Sequence, residues 1–251
     1  MALHPSFLTH PLTHRALHDV KDGRPENSRA AIRAAIDAGY GIEIDVQLSS
    51  DGQAMVFHDY SLGRLTGESG AVALRSAEEL CSIPLTGGDG EGIPTLIEIL
   101  ELVGGAVPLL IEIKDQDGAM GPNVGPLERA VSDALMGYGG PVGVMSFNPH
   151  SVAEMALCAP SVPRGLTTSS WLEDDWPTIP ADRRAELAPI PDYDRVGACF
   201  ISHESTDLYR DRVTELKAAG AVILCWTIKS AEEERAARRI VDNVTFEQYL
   251  A

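Results

Sequence analysis

Gly41-Ile42-Glu43-Ile44-Asp45-Val46-Gln47-Leu48, continued by Ser49-Ser50-Asp51-Gly52-Gln53-Ala54-Met55-Val56-Phe57-His58, is the stretch whose reading decides the fold. Its first eight residues alternate between apolar and polar. Side chains two apart on a strand share a face, so Ile42, Ile44 and Val46 point to one side while Glu43 and Asp45 point to the other. Asp51-Gly52 is a strong signal for a two-residue hairpin turn. Too few residues separate the two apolar runs for the crossover that parallel neighbours require. Residues 41–58 are therefore predicted to be one long strand folding back on itself. With a two-residue turn, Leu48 faces Met55, Val46 faces Phe57, and Asp45 lies beside His58.

Outward from this hairpin, β-type runs alternate with helical patterns along almost the whole chain. Strands are predicted at Leu12–Arg15, Pro108–Lys114, Gly143–Phe147, Arg164–Thr168, Cys199–Ser202, Val222–Ile228 and Asn243–Phe246. Helix-end signals separate them. Asn27 or Ser28 can cap a helix with Ile32, Ala35 and Ile36 on one face, and Gly39 is placed to end it. Thr95 with Glu98 forms a capping box before Leu96, Ile99, Leu100 and Val103, and Ser230 with Glu233 repeats the device. Pro126 suits the first turn of a helix with Leu127, Ala130, Val131 and Ala134 inside. Such alternation implies a parallel sheet. Counting the hairpin's return strand as an extra leaves eight parallel strands, so the expected fold is α/β, a TIM-like (β/α)8 barrel. One domain is expected over residues 1–251, a usual length for such a barrel. Residues 60–92, rich in glycine, are expected to form a small insertion at the rim. The proline-rich stretch 171–194 reads as an irregular connection with one short helix.

Glu43 and Asp45 would share the barrel's inward face, where two carboxylates near a histidine cost desolvation energy unless something pairs with them. A divalent cation would pair with both. Leu110-Ile111-Glu112-Ile113-Lys114 repeats the pattern, placing Glu112 and Lys114 on one face at the end of a strand where barrel enzymes keep their chemistry. Oxygen ligands without cysteine favour one hard ion, Mg²⁺ or Ca²⁺, over zinc. His14 and Arg15 end the first strand in the same way. The plainer alternative is ion pairing inside the chain, Glu112 with Lys114 or Asp45 with Arg15, while Asp59 caps the turn that follows it.

Composition sets the outer bounds. A formal net charge of −17 leaves no basic footprint for nucleic acid or an anionic membrane. An anionic substrate would need a local reversal of that field. The four cysteines, Cys81, Cys158, Cys199 and Cys225, form no C-x-x-C pair and read as reduced. Met1 to Asp19 lacks the pattern of a signal peptide, and no apolar run suits a membrane anchor. A cytoplasmic location is the expectation, with a homo-oligomer left open.

His14-Arg15, Pro25-Glu26-Asn27, Glu43-Ile44-Asp45-Val46, Asp51-Gly52, His58-Asp59, Ile93-Pro94-Thr95-Leu96 and Glu112-Ile113-Lys114 occur in an order and spacing that resemble the glycerophosphodiester phosphodiesterase family, in its small intracellular bacterial type. The likeness is densest over the first 115 residues and continues through Ser146-Phe147 and Trp226-Thr227-Ile228. The resemblance implies metal-dependent hydrolysis of a small glycerophosphodiester to glycerol 3-phosphate and an alcohol. By that pattern His14 and His58 are the acid/base pair, Glu43, Asp45 and Glu112 hold the metal, and Arg15 and Lys114 contact the phosphate. Phe147 and Trp226 are pocket candidates whose default reading is core. Three departures stand out: Ala16 where the family has glycine, Lys229 where asparagine is commoner, and Thr245-Phe246-Glu247 where the closing strand usually ends in Thr-Asp. Other readings are cleavage of a different phosphodiester such as a lysophospholipid head group, a non-catalytic phosphate-binding barrel, and an unrelated metal-dependent lyase or isomerase.

Overall fold

A computed structural model describes residues 2–251. Nine strands form one sheet: β1 (Leu12–Thr13), β2 (Gly41–Leu48), β3 (Ala54–Val56), β4 (Leu109–Ile113), β5 (Val142–Ser146), β6 (Arg164–Thr168), β7 (Phe200–Glu204), β8 (Val222–Ile228) and β9 (Asn243–Phe246). Their order is β1-β9-β8-β7-β6-β5-β4-β2-β3, and β1 also pairs with β2, so eight parallel strands close into a barrel. Only β3 runs antiparallel, on the edge of β2.

The period-2 pattern explains which side chains go where. Ile42, Ile44, Val46, Ile111 and Ile113 point outward and are buried with Ile32, Ile99 and Val131 of the surrounding helices. The lower interior is filled by Leu12, Leu110, Met145, Phe200 and Leu224, plugged from below by Leu3 and Phe7. Gly165 makes room in this layer, since a Cβ there would stand 2.4 Å from the Phe200 ring. Gly165→Ala should cost about 1–3 kcal/mol through overpacking, read as a lower thermal midpoint; an unchanged midpoint would show that Phe200 can step aside.

The helix signals act as read, with detail added. Ser28, not Asn27, caps the helix Arg29–Ala38, and Gly39 ends it at φ 74°. Thr95 and Glu98 make both capping-box bonds, whereas Ser230 accepts from Glu233 while the Glu233 carboxylate takes the Lys229 N–H instead. Stretch 171–194 holds one helix, Ala181–Leu187.

The hairpin register differs from the sequence-based one by a residue. Val46 faces Val56, Gln47 faces Met55 and Leu48 faces Ala54. The turn uses three residues rather than two: Ser49 pairs with Gln53 through an N–H···O bond of 3.0 Å, and Gly52 takes φ 83°. An Asp-Gly pair serves this bulged loop as well as the tight one. The shift puts Met55 and Phe57 against Leu62, Val72, Leu80, Ile83, Leu85 and Ile93, a small apolar core under residues 60–92.

β1 and β3 lie along the same edge of β2 and meet nearly head-on. β1 rises beside Gly41 and Ile42, and β3 descends beside Val46 to Leu48. Between them the ladder is bridged by single bonds, from the Ala16 N–H to the Glu43 carbonyl and from the Phe57 N–H to the Asp45 carbonyl, each 3.0 Å. His14 and His58 leave the backbone at this gap.

Candidate active site

Glu43 and Asp45 of β2 face into the barrel, and Asp45 stands opposite Glu112 of β4 in the parallel ladder. All three are buried, and an oxygen from each lies within 4.8 Å of the others, so this trio could hold a metal ion; among the described residues no other acidic, histidine or cysteine group does so. A buried, all-oxygen donor set fits a hard divalent cation. Inside the chain the same carboxylates are partly compensated. The Lys114 ammonium donates to Glu112 Oε1 at 2.7 Å and lies 3.0 Å from Asp45 Oδ1. Asn27 Nδ2 donates to Asp45 Oδ2 at 3.0 Å, and the Arg15 N–H donates to Glu43 Oε2 at 2.8 Å. The plainer ion-pair reading and the metal reading thus share one set of atoms.

The electrostatics divide the trio. Burial pushes the Glu43 carboxyl well above its usual range, and the charges of Asp45 and Glu112 add to it. Burial acts on Asp45 in the same sense, but Lys114, His58, Arg15 and the Asn27 bond together hold it far below the usual range. Lys114 keeps its proton more firmly than a free lysine: burial opposes the charge, and Asp45 and Glu112 overcome it.

Each histidine is held by a carboxylate. His14 Nδ1 donates to Glu247 Oε2 at 2.8 Å, which directs the ring's Nε2 away from that bond. Burial lowers the His14 pKa despite that partner, while the bond from His14 and the His18 ring 3.5 Å away hold Glu247 ionised. Lys229 closes the group, 3.1 Å from Glu247 Oε1. Two of the departures noted in the sequence, Lys229 and Glu247, are therefore in contact and bear on His14. The third falls where the backbone favours the family's glycine: Arg15 and Ala16 both sit at positive φ, 52° and 65°, so Ala16 is the more strained choice there.

His58 Nδ1 lies 2.6 Å from Asp59 Oδ1, and Arg64 grips Asp59 through Nε at 2.7 Å and NH2 at 2.8 Å. The same guanidinium donates twice to Glu26 at 2.8 Å, and Glu26 accepts from Arg15 NH1 at 2.9 Å. Arg64, from the rim segment, thus links the partners of His58 and Arg15. Arg15 Nε remains buried without a hydrogen-bond partner. Arg64→Ala should lower turnover by roughly ten- to a hundredfold through misplacement of His58 and Arg15. Steady-state kinetics beside a melting curve would check it, and parental kcat in the variant would refute the link.

A cavity of about 620 Å³ opens beside these groups, its wall including His58, Glu112, Lys114, Phe147 and Trp226. His14, Arg15, Glu43 and Asp45 do not line it; Asp45 is tied to it through Lys114. Asp175, Trp176 and Glu204 also line it and were not singled out in the sequence. The first two lie in the stretch read only as an irregular connection, and Glu204 ends a strand whose alternation could have placed it inward.

The chain matches the model of the Glycerophosphoryl diester phosphodiesterase family over residues 14–248. A glycerophosphodiester phosphodiesterase of Caldanaerobacter subterraneus subsp. tengcongensis is 34% identical over 230 residues, covering 88% of this chain and 87% of that protein. Among solved structures, an Oleispira antarctica phosphodiesterase in complex with the product sn-glycerol-3-phosphate superposes with a TM-score of 0.77 at 24% identity, covering 97% of this chain and 94% of that one. A glycerophosphodiester phosphodiesterase from Thermotoga maritima gives 0.70 at 24% identity, covering 94% and 92%. These structures share the closed barrel. With the family model spanning both histidines, all three carboxylates and Glu247, the chain belongs to the glycerophosphoryl diester phosphodiesterase family and is a phosphoric diester hydrolase.

Proposed function

We propose that this chain hydrolyses glycerophosphodiesters to glycerol 3-phosphate and an alcohol, with His14 and His58 as the acid/base pair. The observation that carries this reading is the pairing of each histidine, through Nδ1, with its own carboxylate beside one buried acidic trio. Such a carboxylate fixes the tautomer and leaves Nε2 to exchange a proton with the reacting oxygens. His14, kept neutral by burial, suits the accepting role: it takes the proton of the water that attacks phosphorus. His58, on the cavity wall, then protonates the alkoxide as the P–O bond breaks.

Glu43, Asp45 and Glu112 would hold one divalent cation, Mg²⁺ or Ca²⁺, whose chemistry is to neutralise and orient the phosphate oxygens. Lys114, on the cavity wall, and Arg15, whose Nε makes no hydrogen bond and lies 3.7 Å from Asp45 Oδ2, supply positive charge for the remaining oxygens. The glycerol 3-phosphate bound by the Oleispira protein supports the choice of product.

The test is release of glycerol 3-phosphate from glycerophosphocholine and glycerophosphoethanolamine with Mg²⁺ or Ca²⁺, repeated with EDTA. Release is expected to fall to background on chelation and to return with the cation. Release that survives chelation would remove the metal, and no release from any glycerophosphodiester would remove the proposed reaction.

A further inference from the structure

The part of the cavity furthest in chemistry from the carboxylate trio is built of rings. Phe147 and Trp226 stand nearly perpendicular, their centroids 5.4 Å apart at 88°. Trp176 packs on Phe147 at 4.7 Å and on the buried Trp171 at 4.5 Å, which backs it from behind the wall. The Trp226 indole N–H is already spent on the Ser202 carbonyl at 3.0 Å, so its ring brings the cavity apolar aromatic surface rather than a free donor. Phe147, Trp176 and Trp226 thus give the cavity one continuous aromatic wall.

The charge on the same walls is one-sided. Asp115, Asp175 and Glu204 line the cavity, and among the described residues none lies in an ion pair with a lysine, arginine or histidine. Asp115 is held by backbone N–H groups and Asn148, and Glu204 by Ser170 and Thr206; Asp175 is exposed. Lys114, the one lysine or arginine on the wall, is engaged by Asp45 and Glu112. These three carboxylates do not converge into a metal group. Aromatic surface and carboxylates without a cationic partner together favour a large, weakly hydrated cation. A neutral polyol could bond Tyr60 and Ser61 but would leave the rings and the carboxylate charge unused, and an anionic group would be repelled.

We propose that this aromatic end is a subsite for a cationic head group, so that the preferred diesters carry an ammonium or quaternary ammonium on the departing alcohol. This specificity rests on the diesterase reading above. The phosphate lies at the Lys114 end and the onium group at Trp176, with Asp175 at its edge.

Two readouts separate the claims. The first is intrinsic tryptophan fluorescence of the cation-loaded protein titrated with choline and with its uncharged isostere 3,3-dimethylbutan-1-ol. Choline should bind on the order of tenfold more tightly than the isostere. Asp175→Asn should weaken choline alone, and Trp176→Ala should abolish the preference, while Trp176→Phe retains part of it. Equal binding of the two probes, or no binding of choline, would overturn the subsite. The second is kcat/KM for glycerophosphocholine against glycerophosphoglycerol, whose ratio should be on the order of ten in the parent and near one in Trp176→Ala. Equal values in the parent overturn the subsite and leave the diesterase reading intact. Selective choline binding without hydrolysis of either diester supports the subsite and overturns the diesterase reading.

Discussion

His58→Ala is expected to release glycerol 3-phosphate about a hundred- to ten-thousandfold more slowly than the parent, the range for loss of one general acid or base. The fold should survive, because His58 is partly exposed just beyond the end of β3 and belongs to no apolar cluster. His14→Ala should lose as much, with a different signature. Removing its ring leaves Glu247 with Lys229 and His18 for company, so the carboxylate stays compensated and the melting temperature should change little. The double variant should be no slower than the worse single one by the full product, since groups acting in one step are not additive. Full kcat in either single variant would remove that residue from the acid/base pair. Glu247→Gln should fall between, as the amide still holds the ring but no longer stabilises its charged form.

Lys114→Met carries the largest effect on stability. The substitution takes the ammonium from a buried site where it faces both Asp45 and Glu112, and breaking such a pair typically costs about 3–5 kcal/mol. In EDTA the melting temperature should drop by roughly 6–20 °C. Mg²⁺ or Ca²⁺ should restore more of it in the variant than in the parent, because the cation then replaces the missing charge. Equal melting temperatures in EDTA would show that Lys114 contributes nothing to holding the carboxylates together. The same measurement has a pH dependence with a definite sign. Glu43 keeps a proton in the folded chain at pH values where the unfolded chain has released it. Stability without added cation should therefore fall as pH rises from the ordinary carboxyl range toward the raised Glu43 value. Across that window cation affinity should rise, since binding expels the proton.

The barrel was legible because period-2 alternation and helix caps are local signals, and β2, β6, β8 and β9 begin and end where the alternation places them. The three carboxylates were legible for the same reason, as inward positions on two strands. The register of the hairpin was not, since Asp51-Gly52 serves a two-residue and a three-residue loop equally, and the choice is made by packing under residues 60–92. His58 nonetheless reaches the cavity, because the strand ends at Val56 and alternation no longer dictates its side chain. Glu247 was visible only as a departure from a pattern; its bond to His14 spans 233 positions, and no local period reports it. Arg64 and Trp176 lie in segments without periodicity, where a side chain's partners follow from the fold alone.

The meeting of β1 and β3 along one edge of β2 makes that strand a ruler. The two backbone anchors, at Glu43 and Asp45, are two residues apart, a rise of about 7 Å. The segments that deliver His14 and His58 are therefore spaced by the pitch of a single strand rather than by the loops that follow. Loops beyond the gap can lengthen or change chemistry without altering the interval, whereas deleting one residue of β2 would reset it. Evolution and protein engineers alike can then vary what the site accepts while the interval between the two histidine-bearing segments stays fixed.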